Sequence, residues 1–200
     1  MTSPRPILGV LVVGVGGQGV ITAARIVGEA ALSVGLPVRL GQIHGMSQRG
    51  GSVESTVVIG PGLSPFLPLR GADVILAMEP LELQRTRQRL HEGTCAVVSR
   101  GRIMPTPMAR QGVEYPDPAG IFALIRPLVD DLAVVDGPSI AAGIGAERAL
   151  SAAMLGVLAA RAWLPFDGDV LLDQLERRSP REHIESNRLA FQAGREAVLQ

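Results

Sequence analysis

The sequence predicts an α/β fold: a three-layer, Rossmann-like open sheet that is mostly parallel and carries a helical C-terminal tail. Three observations predict it. An apolar run at residues 7–13 leads into a glycine-rich turn and then a helix. Short apolar segments alternate with helical ones, which is typical of a parallel sheet covered on both faces. Hydrophobic residues make up 46% of the 200 residues and charged residues only 19%, so residues 1–200 can bury a full core as one domain.

The strands are short apolar runs that end at turn residues. They are expected at residues 7–13, 38–43, 53–59, 73–78, 94–99 and 132–135. The proline-rich segment 101–118 lacks clear periodicity, and one further edge strand is expected there, around residues 112–115.

Helices are expected over residues 18–34, from 80 to about 90, and from about 138 to the end. Gly35 ends the first helix. Glu79 and Pro80 open the second, because an acid and a proline are both favoured in a first turn. Within the C-terminal tail, residues 149–162 are apolar and rich in small residues. That composition suits either a core helix or an interface, and the sequence leaves both open.

The glycine turn is the first candidate site. It comprises Gly14, Gly16, Gly17, Gln18 and Gly19, in which three glycines follow the G-x-G-x-x-G spacing. Backbone N–H groups and the dipole of the helix that follows favour an anion such as phosphate or carboxylate. A dinucleotide site usually has an acid about 20 residues further on, where this chain has Arg39. NAD is therefore disfavoured, and NADP bound through Arg39 stays open.

A polar loop at residues 44–52 is the second candidate site. It contains His44, Gln48, Arg49 and Ser52 together with three glycines. Arg49 can bind an anion through two hydrogen bonds, and histidine titrates near neutral pH. The loop suits a polar ligand or an adjoining subunit, although a rigid loop that only shapes the sheet edge would also fit.

Charge and residue usage exclude several classes of function. The formal net charge is zero, so no nucleic-acid or anionic-membrane partner is expected. All 19 basic residues are arginines, which excludes a Schiff-base lysine and a P-loop lysine. The single cysteine, Cys95, excludes an intrachain disulfide, a CxxC pair and an iron–sulfur cluster built by this chain alone. A cytoplasmic location is the simplest interpretation.

No complete catalytic set is found. His44, His91 and His183 are scattered without metal-ligand spacing, and no G-x-S-x-G nucleophile motif is present. We therefore predict no catalytic residue and no metal ligand in this chain.

Three motifs in order resemble the gamma-type subunit of 2-oxoacid:ferredoxin oxidoreductases, and most closely the small subunit of the members that oxidise indolepyruvate. They are Gly14-Val-Gly-Gly-Gln-Gly-Val20, His44-Gly-Met-Ser-Gln-Arg-Gly-Gly-Ser-Val53 and Ala72-Asp-Val-Ile-Leu-Ala-Met-Glu-Pro-Leu-Glu82. The resemblance extends to the tail at residues 184–194 and covers nearly the whole chain.

The resemblance implies a heteromeric complex that converts an aryl pyruvate and coenzyme A to acyl-CoA, carbon dioxide and reduced ferredoxin. A large partner subunit would carry thiamine diphosphate, Mg²⁺ and [4Fe-4S] clusters, while the isolated small chain would be inactive and could form a homodimer. The glycine turn and the 44–52 loop would contact the cosubstrate or the partner. The alternative left by the residues themselves is a stand-alone module that binds a nucleotide or coenzyme A without redox activity.

Overall fold

A six-stranded sheet forms the centre of the molecule in the computed structural model, which describes residues 7–44, 51–62 and 64–198. The strands are β1 (Leu8–Val15), β2 (Val38–His44), β3 (Ser52–Ile59), β4 (Val74–Ala77), β5 (Cys95–Ser99) and β6 (Asp131–Val135). Their order across the sheet is β2-β3-β1-β4-β5-β6.

Five of the six strands run in the same direction. β1, β4, β5 and β6 pair in parallel, whereas β3 is antiparallel to both β1 and β2. The expectation of a mostly parallel open sheet is confirmed. The carboxyl ends of the parallel strands therefore share one edge, and the pairing of Val15 with Ser52 brings the start of β3 to that edge as well.

Helices cover both faces of the sheet. They are α1 (Val20–Ser33), α2 (Pro80–Arg85), α3 (Thr106–Arg110), α4 (Pro118–Ile125), α5 (Gly137–Gly143), α6 (Leu150–Ala160), α7 (Gly168–Arg178) and α8 (Ile184–Glu196). Alternate residues of β1 point to opposite faces. Val10 and Val12 pack with residues of α1, α6, α7 and α8, while Leu11 and Val13 pack with residues of α2 and α4. None of these helices has the length and apolar character needed to cross a membrane within the described residues.

The small residues of α6 serve packing against α8. A Cβ added to Gly156 would lie 1.9 Å from the Phe191 carbonyl oxygen, and one added to Gly194 would lie 1.9 Å from that of Ala153. The two backbones therefore touch, and α6 is a buried core helix in this chain. Of the two interpretations of residues 149–162, the core helix is the one observed.

The edge strand predicted around residues 112–115 is wrong. Helix α3 ends just before it, and Gly112 takes the left-handed conformation with a φ of 64°. The Val113 N–H then donates to the Met108 carbonyl, 3.0 Å away, in a local helix-ending turn. Because this donor is used within the turn, it does not join the sheet.

Candidate functional site

The glycine turn joins β1 to α1 at the carboxyl edge of the sheet. Gly17 and Gly19 have φ values of 102° and 79°, a region that residues with a Cβ rarely adopt. Gly19 is the N-cap of α1, so the helix begins at Val20, two residues later than the sequence predicts. The Gly16 N–H donates to the Gly51 carbonyl at 2.9 Å, which ties the turn to the residue before β3.

Gln18 points into the protein. Its Oε1 accepts the Val15 N–H at 2.7 Å, and its Nε2 donates to the Met78 carbonyl at 3.0 Å. The amide lies against Gly14, where an added Cβ would be 2.8 Å from Oε1. The Gln18 side chain thus connects the ends of β1 and β4, and its amide is occupied within the chain.

A cleft of about 580 Å³ opens beside the glycine turn. Its lining residues are Gly17, Gly19, Thr22, Ala142, Gly145, Ala146, Arg148, Ala149, Ser151, His183, Ser186 and Asn187. The N-cap residues of three helices are among them: Gly19 of α1, Ala149 of α6 and His183 of α8. None of these three helices has a side-chain cap at this end. The positive ends of three helix dipoles therefore face one cleft.

Arginine adds positive charge to this cleft and to a second one. The second cleft, of about 430 Å³, shares Gly17 and Arg148 with the first and is also lined by Gln18, Arg102 and Ile103 among others. Arg102 and Arg148 are exposed, and neither forms an ion pair with a carboxylate that the structure describes. An anion that enters either cleft would meet a guanidinium group as well as the backbone of the turn.

The 44–52 loop is described only at its two ends. Gln48 and Arg49 lie outside the described residues, and His44 is the last residue of β2. Ser52 is the first residue of β3, and its Oγ–H donates to Glu82 Oε2 at 2.5 Å. The end of the loop is thus held by a buried carboxylate.

Two buried acids, Glu79 and Glu82, lie at the start of α2, directly after β4. Glu79 Oε2 accepts the Glu82 N–H at 3.0 Å, as an N-cap does, and Glu79 Oε1 accepts the Tyr115 hydroxyl and the Ile103 N–H. Burial raises the pKa of Glu79 above its ordinary value, although these hydrogen bonds act against the shift. Burial, followed by the adjacent Glu79, raises the pKa of Tyr115.

Three residues of this region were not singled out in the sequence: Arg102, Tyr115 and Arg148. Arg102 and Tyr115 belong to the proline-rich segment 101–118, and Arg148 lies in a short turn before α6. No motif surrounds them. The fold brings Arg102 and Arg148 to the clefts beside the glycine turn, and it brings Tyr115 to Glu79. In the sequence, Glu79 stands out only as an acid in the first turn of a predicted helix.

The side chains at this edge do not fit a metal ion or an iron–sulfur cluster. Across residues 7–44, 51–62 and 64–198, no group of three or more His, Cys, Asp and Glu side chains could hold a metal. The one cysteine, Cys95, lies at the start of β5, at the opposite edge of the sheet. The clefts instead present N–H groups and guanidinium groups, which are donors for anions.

Comparison with known proteins gives consistent results. Residues 9–197 match the family described as pyruvate ferredoxin/flavodoxin oxidoreductase. The chain is 32% identical to indolepyruvate oxidoreductase subunit IorB of Archaeoglobus fulgidus, over 94% of this chain and 93% of that protein.

Two solved structures share the fold. The gamma subunit of a keto/oxoacid ferredoxin oxidoreductase from Geobacter sulfurreducens superposes with a TM-score of 0.68 at 23% identity, covering 96% of this chain and 98% of that one. The 2-oxoglutarate:ferredoxin oxidoreductase from Magnetococcus marinus, solved with 2-oxoglutarate, coenzyme A and succinyl-CoA bound, gives a TM-score of 0.71 at 18% identity. It covers 98% of this chain, which corresponds to 31% of that longer chain.

Proposed function

The chain belongs to the pyruvate ferredoxin/flavodoxin oxidoreductase family, and from this premise we propose that it is the small subunit of an oxidoreductase complex that acts on aryl pyruvates such as indolepyruvate. One observation carries the proposal: the likeness to indolepyruvate oxidoreductase subunit IorB extends over more than nine-tenths of both chains. In the proposed reaction, a 2-oxoacid, coenzyme A and two oxidised ferredoxins give acyl-CoA, carbon dioxide, a proton and two reduced ferredoxins.

The redox cofactors belong to a partner subunit in this proposal. One cysteine cannot supply the four thiolates of a [4Fe-4S] cluster, and the described side chains offer no metal site. Thiamine diphosphate, Mg²⁺ and the clusters are therefore assigned to a large partner that also delivers electrons to ferredoxin. We retain the cytoplasm as the location, since the chain lacks the paired cysteines that are common in secreted proteins.

For this chain we propose a role in holding the anionic part of coenzyme A, or a partner segment, at the glycine turn. The proposal covers the glycine-turn residues Gly14, Gly16, Gly17, Gln18 and Gly19 and the loop residues His44, Gln48, Arg49 and Ser52. Convergent helix N-termini and the guanidinium groups of Arg102 and Arg148 support it, because together they favour a phosphate or diphosphate group. Gln18 would act indirectly, by keeping the turn in place.

Activity of the assembled complex tests the proposed substrate. The chain should be co-produced with a large subunit that carries thiamine-binding and ferredoxin-type cysteine motifs, and each part should also be assayed alone. We expect activity only in the complex, with kcat/KM for indolepyruvate at least tenfold above that for pyruvate or 2-oxoglutarate. A preference for 2-oxoglutarate or pyruvate would overturn the aryl-pyruvate assignment, and activity of the small chain alone would overturn the subunit role.

A further inference from the structure

The acids Glu79 and Glu82 are buried more completely than their position requires. Their residues are 1% and 2% exposed, although acidic side chains are rarely buried to this degree. A helix N-cap needs only one acceptor, which Asp or Ser could supply closer to the surface. The burial of a second acid beside the N-cap therefore needs another explanation.

Glu82 connects α2 to the end of the 44–52 loop. Its Oε2 accepts the Ser52 hydroxyl at 2.5 Å, and its Oε1 pairs with Arg85 at 2.5 Å. The residue before Ser52 accepts the Gly16 N–H through its carbonyl. The loop end is thus held between a buried carboxylate and the glycine turn.

Glu79 connects α2 to the segment 101–115. The Tyr115 hydroxyl donates to Glu79 Oε1 and accepts the Leu81 N–H at 3.2 Å. The hydroxyl is therefore used both as a donor and as an acceptor. The Ile103 N–H donates to the same Oε1 at 3.4 Å. Ile103 and its neighbour Arg102 line the second cleft together with Gly17 of the glycine turn.

Carboxylates suit this task because hydrogen bonds to a charged acceptor are stronger than neutral ones and fix geometry. Burial of a charged group is unfavourable, and local packing alone does not offset its cost. The hydrogen bonds that the two acids make with remote segments explain why they are buried. Each acid receives a side-chain donor from a segment remote in sequence. The first segment is hydrogen-bonded to the glycine turn through Gly51, and the second lines a cleft together with Gly17.

We propose that Glu79 and Glu82 are positioning residues of the glycine-turn clefts: Glu82 fixes the end of the 44–52 loop, and Glu79 fixes the segment that carries Arg102. Neither acid contacts the ligand in this account. The inference rests on the proposed function of the clefts. It adds that the shape of the clefts depends on the two buried acids at the start of α2.

Hydrogen exchange of the full-length chain tests the inference with variants that leave both acids in place. Tyr115→Phe and Ser52→Ala each delete one donor hydroxyl. We expect Tyr115→Phe to speed amide exchange of the peptide containing Ile103 about tenfold, because one charge-assisted bond is lost. Ser52→Ala should speed exchange of the Gly16 amide to a similar extent. Ser52→Thr keeps a hydroxyl at this position and should therefore keep the wild-type rate.

A matched control is available at the other end of β4. Asp73 is also a carboxylate that accepts a backbone N–H, from Gly9 at 2.6 Å, and it lies at the opposite edge of the sheet. Asp73→Asn should leave exchange at Ile103 and Gly16 unchanged. Unchanged exchange in both hydroxyl variants, or equal acceleration in the control, would overturn the inference.

Kinetics of the assembled complex distinguish a positioning role from a general loss of stability. Tyr115→Phe should raise KM for coenzyme A about fivefold while kcat and KM for the 2-oxoacid stay within twofold. A fall in kcat alone, with KM for coenzyme A unchanged, would contradict a positioning role. If no thiamine-containing partner assembles with the chain, the proposed function fails, yet the exchange results on the chain alone still decide the positioning of the two segments.

Discussion

The Gly16 N–H donates to the Gly51 carbonyl at 2.9 Å, and this bond joins the glycine turn directly to the end of the 44–52 loop. Two segments that are separate motifs in the sequence are therefore neighbours in the structure. Ser52, the next residue, continues the connection to the buried Glu82 of α2. The candidate site is a single edge built from the ends of β1, β3 and β4.

Replacement of Arg148 by alanine should weaken binding of coenzyme A to the assembled complex about fivefold. Arg148 lines both clefts, and an exposed guanidinium–phosphate contact contributes about 1 kcal/mol after solvent screening. The quantity to measure is KM for coenzyme A, or Kd by calorimetry. Arg177, exposed in the last turn of α7, is the matched control. Equal effects of Arg148→Ala and Arg177→Ala would contradict a local role for Arg148.

Loss of the Gln18 amide should lower the free energy of unfolding by about 2 kcal/mol, since an acceptor for the Val15 N–H and a donor to the Met78 carbonyl disappear together. Gln18→Met keeps the length of the side chain and removes both hydrogen bonds. Urea unfolding measures the change. Gln88→Met, at an exposed position, is the control, and an equal loss in that variant would show that the Gln18 bridge has no special role.

Alanine at Gly156 or Gly194 should destabilise the chain by about 3 kcal/mol, because an added Cβ would overlap a backbone carbonyl of the facing helix. Thermal and urea unfolding should both report it. Gly120 of α4 offers a contrast, since nothing lies within 4 Å of its Cβ position. Gly120→Ala should be neutral or stabilise the chain by about 0.5–1 kcal/mol. Wild-type stability of Gly156→Ala would contradict the close contact of α6 and α8.

Glu79 should give the chain a pH dependence that a glutamine at this position removes. Burial raises the pKa of Glu79 in the folded state above the unfolded value, so folding favours the protonated form. The stability from this group is complete below the ordinary pKa of 4.5 and is lost as the pH rises through the higher folded value.

Urea unfolding over a series of pH values tests this sign. Relative to the wild type, Glu79→Gln should gain free energy of unfolding as the pH rises above 4.5, whatever constant offset its altered hydrogen bonds cause. Parallel stability curves for the two proteins, or a relative loss with rising pH, would contradict the raised pKa.

Local features of the chain were well predicted. The run of apolar residues in β1, the glycine turn and α1 form one local unit, and each of the six core strands was placed within a few residues. Local signals were enough because strand, turn and helix preferences act over short distances. The edge strand predicted from local preferences at residues 112–115 is wrong, because Gly112 and the end of α3 use the backbone donors in a turn.

The site was only partly predictable. The spacing of the glycines identifies the glycine turn, but the inward direction of the Gln18 amide depends on Met78, the residue directly after β4. The contacts of Tyr115 with Glu79 and of Ser52 with Glu82 join residues far apart in sequence, so no local pattern reports them. Arg148 reaches the turn only because α6 packs beside α1.

Purification of the tagged chain from its native cell tests the central claim most directly. If the chain is the small subunit of a 2-oxoacid oxidoreductase, it should be isolated with a larger protein whose visible spectrum shows iron–sulfur absorption and which contains thiamine diphosphate. That preparation should reduce ferredoxin with indolepyruvate and coenzyme A. A colourless chain that purifies alone and binds coenzyme A or a nucleotide without any partner would contradict the account.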